Sequence, residues 1–327
     1  MSSELIFVIA LALFFEFLNG MRDSSNIVAT MISSRAFHPQ VALGLTAIAE
    51  FLGPILFGVV VAKTIGSDIV DSQVLTLEAL VACLIGTIIW NLATWFLGIP
   101  SSSSHALIGG LVGAVFVSAG LGAIKLQGLY RVLIALFASP IIGFVFGFIV
   151  LRVIYFLVRN ASPGINVLFK RGQLFTAVGL AFGYGANDGQ KTIGIITLSL
   201  IIDGQLNDFI VPLWVILLSA GTMALGTMLG GWRLIRTLGG RFYKIRPVHS
   251  FATQLTSAAV ILSASLIGLP VSTTQIVSSA IIGVGSSERF GKVRWSVAGD
   301  VLSAWVLTIP ASALLSGCIY WLVLNFT

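Results

Sequence analysis

Long apolar stretches separated by short polar ones make up almost the whole chain. The apolar runs cover roughly residues 3 to 34, 41 to 63, 77 to 97, 100 to 120, 131 to 158, 174 to 203, 209 to 232, 251 to 268, 270 to 285 and 298 to 325. Only helices or closed barrels satisfy their backbone hydrogen bonds in lipid, and these runs lack the roughly ten-residue alternation of barrel strands. Each run is therefore read as helical. With about 20 apolar residues per span, the pattern predicts an all-α, polytopic integral membrane protein with about ten crossings, or fewer where a segment re-enters. The runs at 3 to 34 and 174 to 203, about 30 residues each, exceed one untilted span, and polar and glycine residues interrupt both near the middle. They are predicted to be broken helices. The segments beginning at Pro100 and Pro270 fit either crossing helices or re-entrant hairpins, which periodicity does not separate.

Internal repetition organises these runs. Asn19-Gly20-Met21-Arg22-Asp23 aligns with Tyr184-Gly185-Ala186-Asn187-Asp188 at an offset of 165 (23 to 188). Gly98-Ile99-Pro100-Ser101-Ser102-Ser103-Ser104-His105 aligns with Gly268-Leu269-Pro270-Val271-Ser272-Thr273-Thr274-Gln275 at an offset of 170 (98 to 268). Two ordered matches indicate a tandem duplication, with residues 1–158 and 174–327 as the repeats and a basic connection at 159–173.

Composition supports the membrane assignment. Of 327 residues, 57% are AVILMFWYC and 9% are charged, against about 45 to 50% and 25% in soluble domains. A soluble enzyme is excluded. The net charge, 18 minus 12, is +6, but the bases collect between runs as the positive-inside rule places them, so no nucleic-acid partner is implied. The segment with Arg233, Arg236, Arg241, Lys244 and Arg246 and the one with Arg152, Arg159, Lys170 and Arg171 are predicted to be cytoplasmic. The acidic connections, with Asp68, Asp71 and Glu78 and with Asp203 and Asp208, are predicted to be external. The repeats are then inverted, five crossings each, and both termini lie outside. Lys125 and Arg131 fall outside, against the rule. Cys83 and Cys318 lie within apolar runs and suggest no disulfide framework. Glu4, in place of a basic segment at the start, argues against a cleavable signal peptide.

Ionisable groups inside spans are costly enough to be functional by default. Here they are Glu16, Arg22, Asp23, Glu50, Asp188 and Lys191. Asp23 and Asp188 sit at matching positions of oppositely oriented repeats, which would bring them together near the midplane, where inverted-repeat transporters keep their site. Such a pair would suit a coupling cation, and each aspartate would equally serve as a helix cap. Arg22 and Lys191 offer positive charge for an oxyanion, or merely neutralise the neighbouring aspartate. The clusters Ser101, Ser102, Ser103 and Ser104, and Ser272, Thr273 and Thr274, are predicted to open helices. Free amides, a positive dipole end and hydroxyl donors would together favour a tetrahedral oxyanion there, although hydroxyls also merely cap helices. Glu50 suits either a coupling cation or Arg22. His38, His105 and His249 are scattered without the spacing of a zinc site.

The motifs GMRDSSN and GANDGQKTIG, together with PSSSSH and PVSTTQ, resemble the inorganic phosphate transporter (PiT) family in its short bacterial form. The resemblance spans essentially the whole chain. It implies symport of inorganic phosphate with sodium or protons as the coupling ion, no cofactor, an inverted-repeat protein of the cell membrane, and a homodimer. It places the family's aspartates at Asp23 and Asp188, its amides at Asn26 and Asn187, and its first-half glutamate at Glu50. The chain departs from the pattern at Arg22, where asparagine is usual, and at Gln254 and Gln275, where a glutamate and a histidine are common. The expected assignment is Asp23, Asp188 and Glu50 for the cation, and Asn26, Asn187, Lys191 and both hydroxyl clusters for the anion. Sulfate or a related oxyanion, an anion channel, and an intramembrane aspartyl enzyme remain the alternatives. The last lacks the G-x-G-D pattern, since Gly183-Tyr184-Gly185 runs into Ala186.

Overall fold

The computed structural model describes residues 1–33, 38–99, 101–162, 164–230 and 246–326. Its helices are α1 (Ser3–Ser33), α2 (Pro39–Phe57), α3 (Val60–Lys63), α4 (Leu77–Phe96), α5 (Ser103–Ala119), α6 (Leu126–Leu157), α7 (Ile165–Tyr184), α8 (Gln190–Ile202), α9 (Leu213–Leu229), α10 (Pro247–Leu266), α11 (Thr273–Glu288) and α12 (Trp295–Phe326). Burial is inverted relative to a water-soluble bundle. Helix α6 exposes Ile134, Ile141, Ile149 and Phe156 at two-turn spacing, while Glu16, Glu50 and Asp188 are fully buried. That is the pattern of a protein whose solvent is lipid. Five helices among the described residues, starting at Ser3, Pro39, Leu77, Leu126 and Val301, are long and apolar enough to cross a membrane unaided.

Two faces cap the bundle. On the first, Ser2 Oγ donates to Asp203 Oδ1 at 2.5 Å, and an antiparallel bridge joins Val70 to Ile124. Its amides close the ladder, Asp71 N to Ala123 O at 3.0 Å and Lys125 N to Ile69 O at 2.9 Å. The Ser2 hydroxyl holds the exposed Asp203 carboxyl below its usual range. On the opposite face, Glu288 meets Arg246 and His249, each at 3.5 Å, and His249 Nε2 lies 3.2 Å from Tyr155 Oη at the end of α6.

These closures, together with the meeting of the two helix-pair tips, decide the question left open at Pro100 and Pro270. The α4–α5 pair leaves and returns at the first face, since residues 69–71 precede it and 123–125 follow it. The α10–α11 pair is clasped at its two ends by Arg246, His249 and Glu288. Their tips meet in the interior, Ser104 Oγ donating to Val271 O at 2.9 Å and His105 Nδ1 lying 3.3 Å from Gln275 Nε2, so the pairs enter from opposite faces as re-entrant hairpins, the smaller of the crossing counts the sequence allowed. A hairpin and two crossings return the chain to the same side, so loop charge could not distinguish them. Lys125 stands on the acidic face with a local partner, donating to Ser67 O at 2.9 Å. Pro100 and the basic residues 233 to 244 lie outside the described residues.

The expected break in the first long run is also corrected. Helix α1 is regular through Asn19–Asp23. The polar residues there mark an inward-facing stripe of side chains, which leaves the backbone ladder intact. Gly20 serves close approach, because a Cβ on it would fall 2.2 Å from Met223 O of α9. In the second long run the helix is not lost either, but Gly185–Gly189 takes a π-helical turn between α7 and α8. A Cβ on Gly185 would stand 2.1 Å from Glu50 O of α2. Packing partners come in corresponding pairs: α1 lies on α9 as α7 lies on α2, and α5 lies on α12 as α11 lies on α6.

Candidate functional site

The tips of the two hairpins meet at the middle of α1 and of the α7–α8 turn. At each tip a serine caps the returning helix, Ser102 Oγ accepting from His105 N at 3.2 Å and Ser272 Oγ from Gln275 N at 3.4 Å. The residue before each motif aspartate binds the tip of its own hairpin. Arg22 donates to Asn91 Oδ1 at 2.7 Å and to Ser101 O and Oγ at 3.2 Å. Asn187 donates to Ser265 Oγ and Leu269 O at 3.1 Å and accepts from Val271 N at 3.1 Å. Neither hairpin tip floats free.

The residue three positions after each aspartate reaches instead to the other hairpin. Asn26 Nδ2 donates to Thr274 Oγ1 at 3.2 Å and to Asp23 Oδ1 at 3.2 Å. Lys191 Nζ donates to Ser104 Oγ at 2.5 Å and to Val271 O at 3.2 Å, and forms an ion pair with Asp188 Oδ1. Thr273 Oγ1 donates to Asp188 Oδ2 at 2.6 Å, and Thr274 Oγ1 to Asp23 Oδ1 at 3.3 Å. The two aspartates thus straddle the first residues of α11. His105 Nδ1 touches its aligned counterpart Gln275 Nε2 at 3.3 Å.

Of the residues singled out by sequence, Asp23, Asn26, Ser104, Asp188, Lys191, Thr273 and Thr274 are joined in this hydrogen-bonded cluster. Ser103 is buried beside them at the start of α5. Ser101 is bonded to Thr94 and Arg22, while Ser102 and Ser272 act as caps and Asn187 holds the turn. Glu50 stands apart between α2 and α9, its Oε2 accepting from Thr227 Oγ1 at 2.5 Å. Its expected alternative partner, Arg22, is engaged with the first hairpin. Sequence reasoning missed Asn91, Thr94, Thr227 and Gln190. The last ties the gap between α2 and α3, accepting from Val61 N at 2.8 Å and donating to Gly58 O at 2.6 Å. Polar residues in mid-run were the available signal for all four.

Chemically, two helix N-termini and their hydroxyls point at one locus beside one buried cation, with aspartates at its margin. Helix N-termini favour anions through unpaired amides and the dipole. A buried carboxylate that stays ionised needs a cation beside it. Among the described residues no group of three or more His, Cys, Asp or Glu is placed to hold a metal ion, so a metal cation held here would rest on hydroxyl and amide oxygens as well as the carboxylates.

A lipid-facing bundle with paired hairpins around an internal charged locus defines a polytopic membrane transport protein. The chain belongs to the phosphate transporter family, which it matches over residues 19–316. It is 44% identical over 326 residues to a probable low-affinity inorganic phosphate transporter of Bacillus subtilis, covering 98% of this chain and 97% of that one. The corresponding protein of Rhizobium meliloti is 42% identical over 319 residues, 97% and 96% of the two chains. A solved structure titled the sodium-dependent phosphate transporter shares the fold over 100% of both chains, with TM-score 0.91 at 23% identity.

Proposed function

We propose that the protein carries inorganic phosphate across the cell membrane in symport with a cation, sodium or a proton, by alternating access. The observation that carries this reading is the meeting of the α5 and α11 N-termini, with Ser104, Thr273 and Thr274, at the Lys191–Asp188 ion pair and at Asp23 and Asn26. An entering oxyanion would take hydrogen bonds from Ser103, Ser104, Thr273, Thr274, Asn26 and Lys191. Each aspartate would then be free to share its oxygens with a cation, so that charge enters in balance. Glu50 remains a separate cation-coupling group in this reading. The names carried by the relatives support phosphate over sulfate, and the name of the structural neighbour favours sodium.

The same reading includes two inverted halves, residues 1–158 and 174–327, with 159–173 as a cytoplasmic connection and both termini external. The paired packing of α1 on α9 and α7 on α2 supports it, as do hairpins that open on opposite faces. An impermeant thiol reagent should label Asp203→Cys in intact cells and label Glu288→Cys only after permeabilisation. The homodimer implied by the resemblance is part of the proposal, and native mass measurement tests it.

Uptake of labelled phosphate into proteoliposomes tests the function itself. Ser103→Ala/Ser104→Ala and Thr273→Ala/Thr274→Ala should each raise the phosphate concentration for half-maximal uptake about tenfold or more, the equivalent of about 1.4 kcal/mol per decade. Asp23→Asn and Asp188→Asn should each nearly abolish uptake in folded protein. Unchanged phosphate dependence in both double variants would reduce the hydroxyls to caps, and sulfate outcompeting phosphate would reassign the cargo.

A further inference from the structure

Glu16 has no place in the site described so far. It lies on α1 seven residues before Asp23, about 10 Å nearer the face that carries Asp203, at about 1.5 Å per residue. Its side chain is fully buried. Oε2 accepts from Thr192 Oγ1 of α8 at 2.5 Å, but Oε1 has no hydrogen-bond partner. The charged groups acting on it are Asp188 and Lys191 from the α7–α8 side and Asp23 on its own helix. Lys191 is already paired with Asp188, so it is not a dedicated counter-ion for Glu16.

A second group points to the same spot. Asn19, one turn along α1 from Glu16 and on the same face at a spacing of three, is 1% exposed. Neither Oδ1 nor Nδ2 has a partner. Two buried side chains one turn apart with unpartnered polar atoms are costly unless a ligand satisfies those atoms. Beside Glu16, Gly189 in the π-helical turn has no side chain, which leaves about a methyl's space bounded also by Pro54 and Met223. A Cβ there would sit 3.7 Å from Glu16 Oε1. The aligned positions in the second half, Ala181 and Tyr184, carry no acid, so the arrangement is particular to the first half.

We propose that Glu16, Asn19 and Thr192 form a further sodium site, separate from Asp23 and Asp188 and on the Asp203 side of them. Glu16 Oε1, Asn19 Oδ1 and the Thr192 hydroxyl oxygen are hard donors of the kind that small hard cations take. Sodium would neutralise the acid and use the Asn19 carbonyl oxygen. A proton on Oε1 would also neutralise the acid and would donate to Asn19 Oδ1, so the sodium and pH titrations below separate the two. The position along α1 makes the site a station between the Asp203 face and the central pair. The proposal rests on the sodium form of the symport reading above.

The test is a sodium titration of phosphate uptake into proteoliposomes, at fixed pH and saturating phosphate, repeated as a pH titration at fixed sodium. Glu16→Gln should raise the sodium concentration for half-maximal uptake at least tenfold, and Asn19→Ala severalfold. Glu16→Asp, which keeps the charge on a shorter arm, should fall between Glu16→Gln and the unsubstituted protein. The phosphate dependence at saturating sodium and the pH profile should stay within about twofold. Monodisperse protein with unaltered thermal unfolding qualifies each variant, and Asn19→Ala and Glu16→Asp stand in if Glu16→Gln fails to fold. Normal sodium dependence in the substituted proteins would overturn the site while leaving sodium symport intact. A shifted pH profile in Glu16→Gln with Asn19→Ala silent would make Glu16 a proton carrier and overturn it equally. Uptake by the unsubstituted protein that ignores sodium would instead overturn the sodium reading itself, and this site with it.

Discussion

The middle of α1 and the α7–α8 turn bear the same motif and do the same two tasks with different chemistry. In α1 the charged member precedes the aspartate: Arg22 holds its own hairpin, and neutral Asn26 reaches across to Thr274. In the α7–α8 turn the order is exchanged, so that neutral Asn187 holds its own hairpin and charged Lys191 reaches across to Ser104. The difference separates anchoring from bridging. A guanidinium spreads several donors over the tip of a partly exposed hairpin, whereas a compact ammonium fits a fully enclosed crossing point. Only the second arrangement puts a buried cation between the two hairpin ends.

The largest test of that contrast is removal of each cation. Lys191→Met would leave Asp188 buried without its counter-ion and should cost about 3 to 5 kcal/mol, seen as loss of folded protein in thermal unfolding. Lys191→Met/Asp188→Asn should recover most of it. Arg22→Met should cost only about 1.5 to 3 kcal/mol, the value of a hydrogen bond to a charged group. Equal losses for the two cations would erase the distinction between anchor and bridge.

A smaller effect probes what the two regions share. Gly20→Ala and Gly185→Ala place a methyl against backbone carbonyls of α9 and α2, and each should destabilise by about 1 to 3 kcal/mol through overpacking. If only one did so, the two crossings would differ in packing as well as in charge. Smaller again are the caps, where Ser102→Ala and Ser272→Ala should each cost about 1 kcal/mol. Comparable shifts in unfolding temperature would show that the tips are built alike despite the exchanged charges.

The smallest effect lies at the end of α8. Asp203 is held below the ordinary carboxylate range by the Ser2 hydroxyl, so its contribution is present above the unfolded value of about 3.9. That contribution is lost as pH falls toward the lower folded value. Ser2→Ala should remove that contribution, lowering stability slightly above about pH 4 and leaving it unchanged well below, as thermal unfolding across that range would show.

Helical spans, the paired motifs, the central aspartates and the hydroxyl clusters were all legible in the chain. They follow from local composition and spacing, which lipid makes strict. The two hairpins were not legible, because a re-entrant pair and a crossing pair leave identical charge signs in the loops that follow. Nor was the regular course of α1. A polar residue in an apolar run can mark either a broken backbone or an inward-facing side chain, and only the packing of Gly20 against α9 separates the two.

The sequence by itself determined that this protein lives in a membrane, that it carries a repeated motif, and which side chains were too polar to face lipid. Tertiary structure alone decided how those side chains divide their work: Asn187 and Arg22 as anchors, Lys191 as the bridge, Glu50 beside Thr227, and Glu16 and Asn19 unsatisfied on one face of α1. The reason is that polarity is a property of a residue, whereas satisfaction of that polarity depends on helices that are adjacent in space and far apart in the chain.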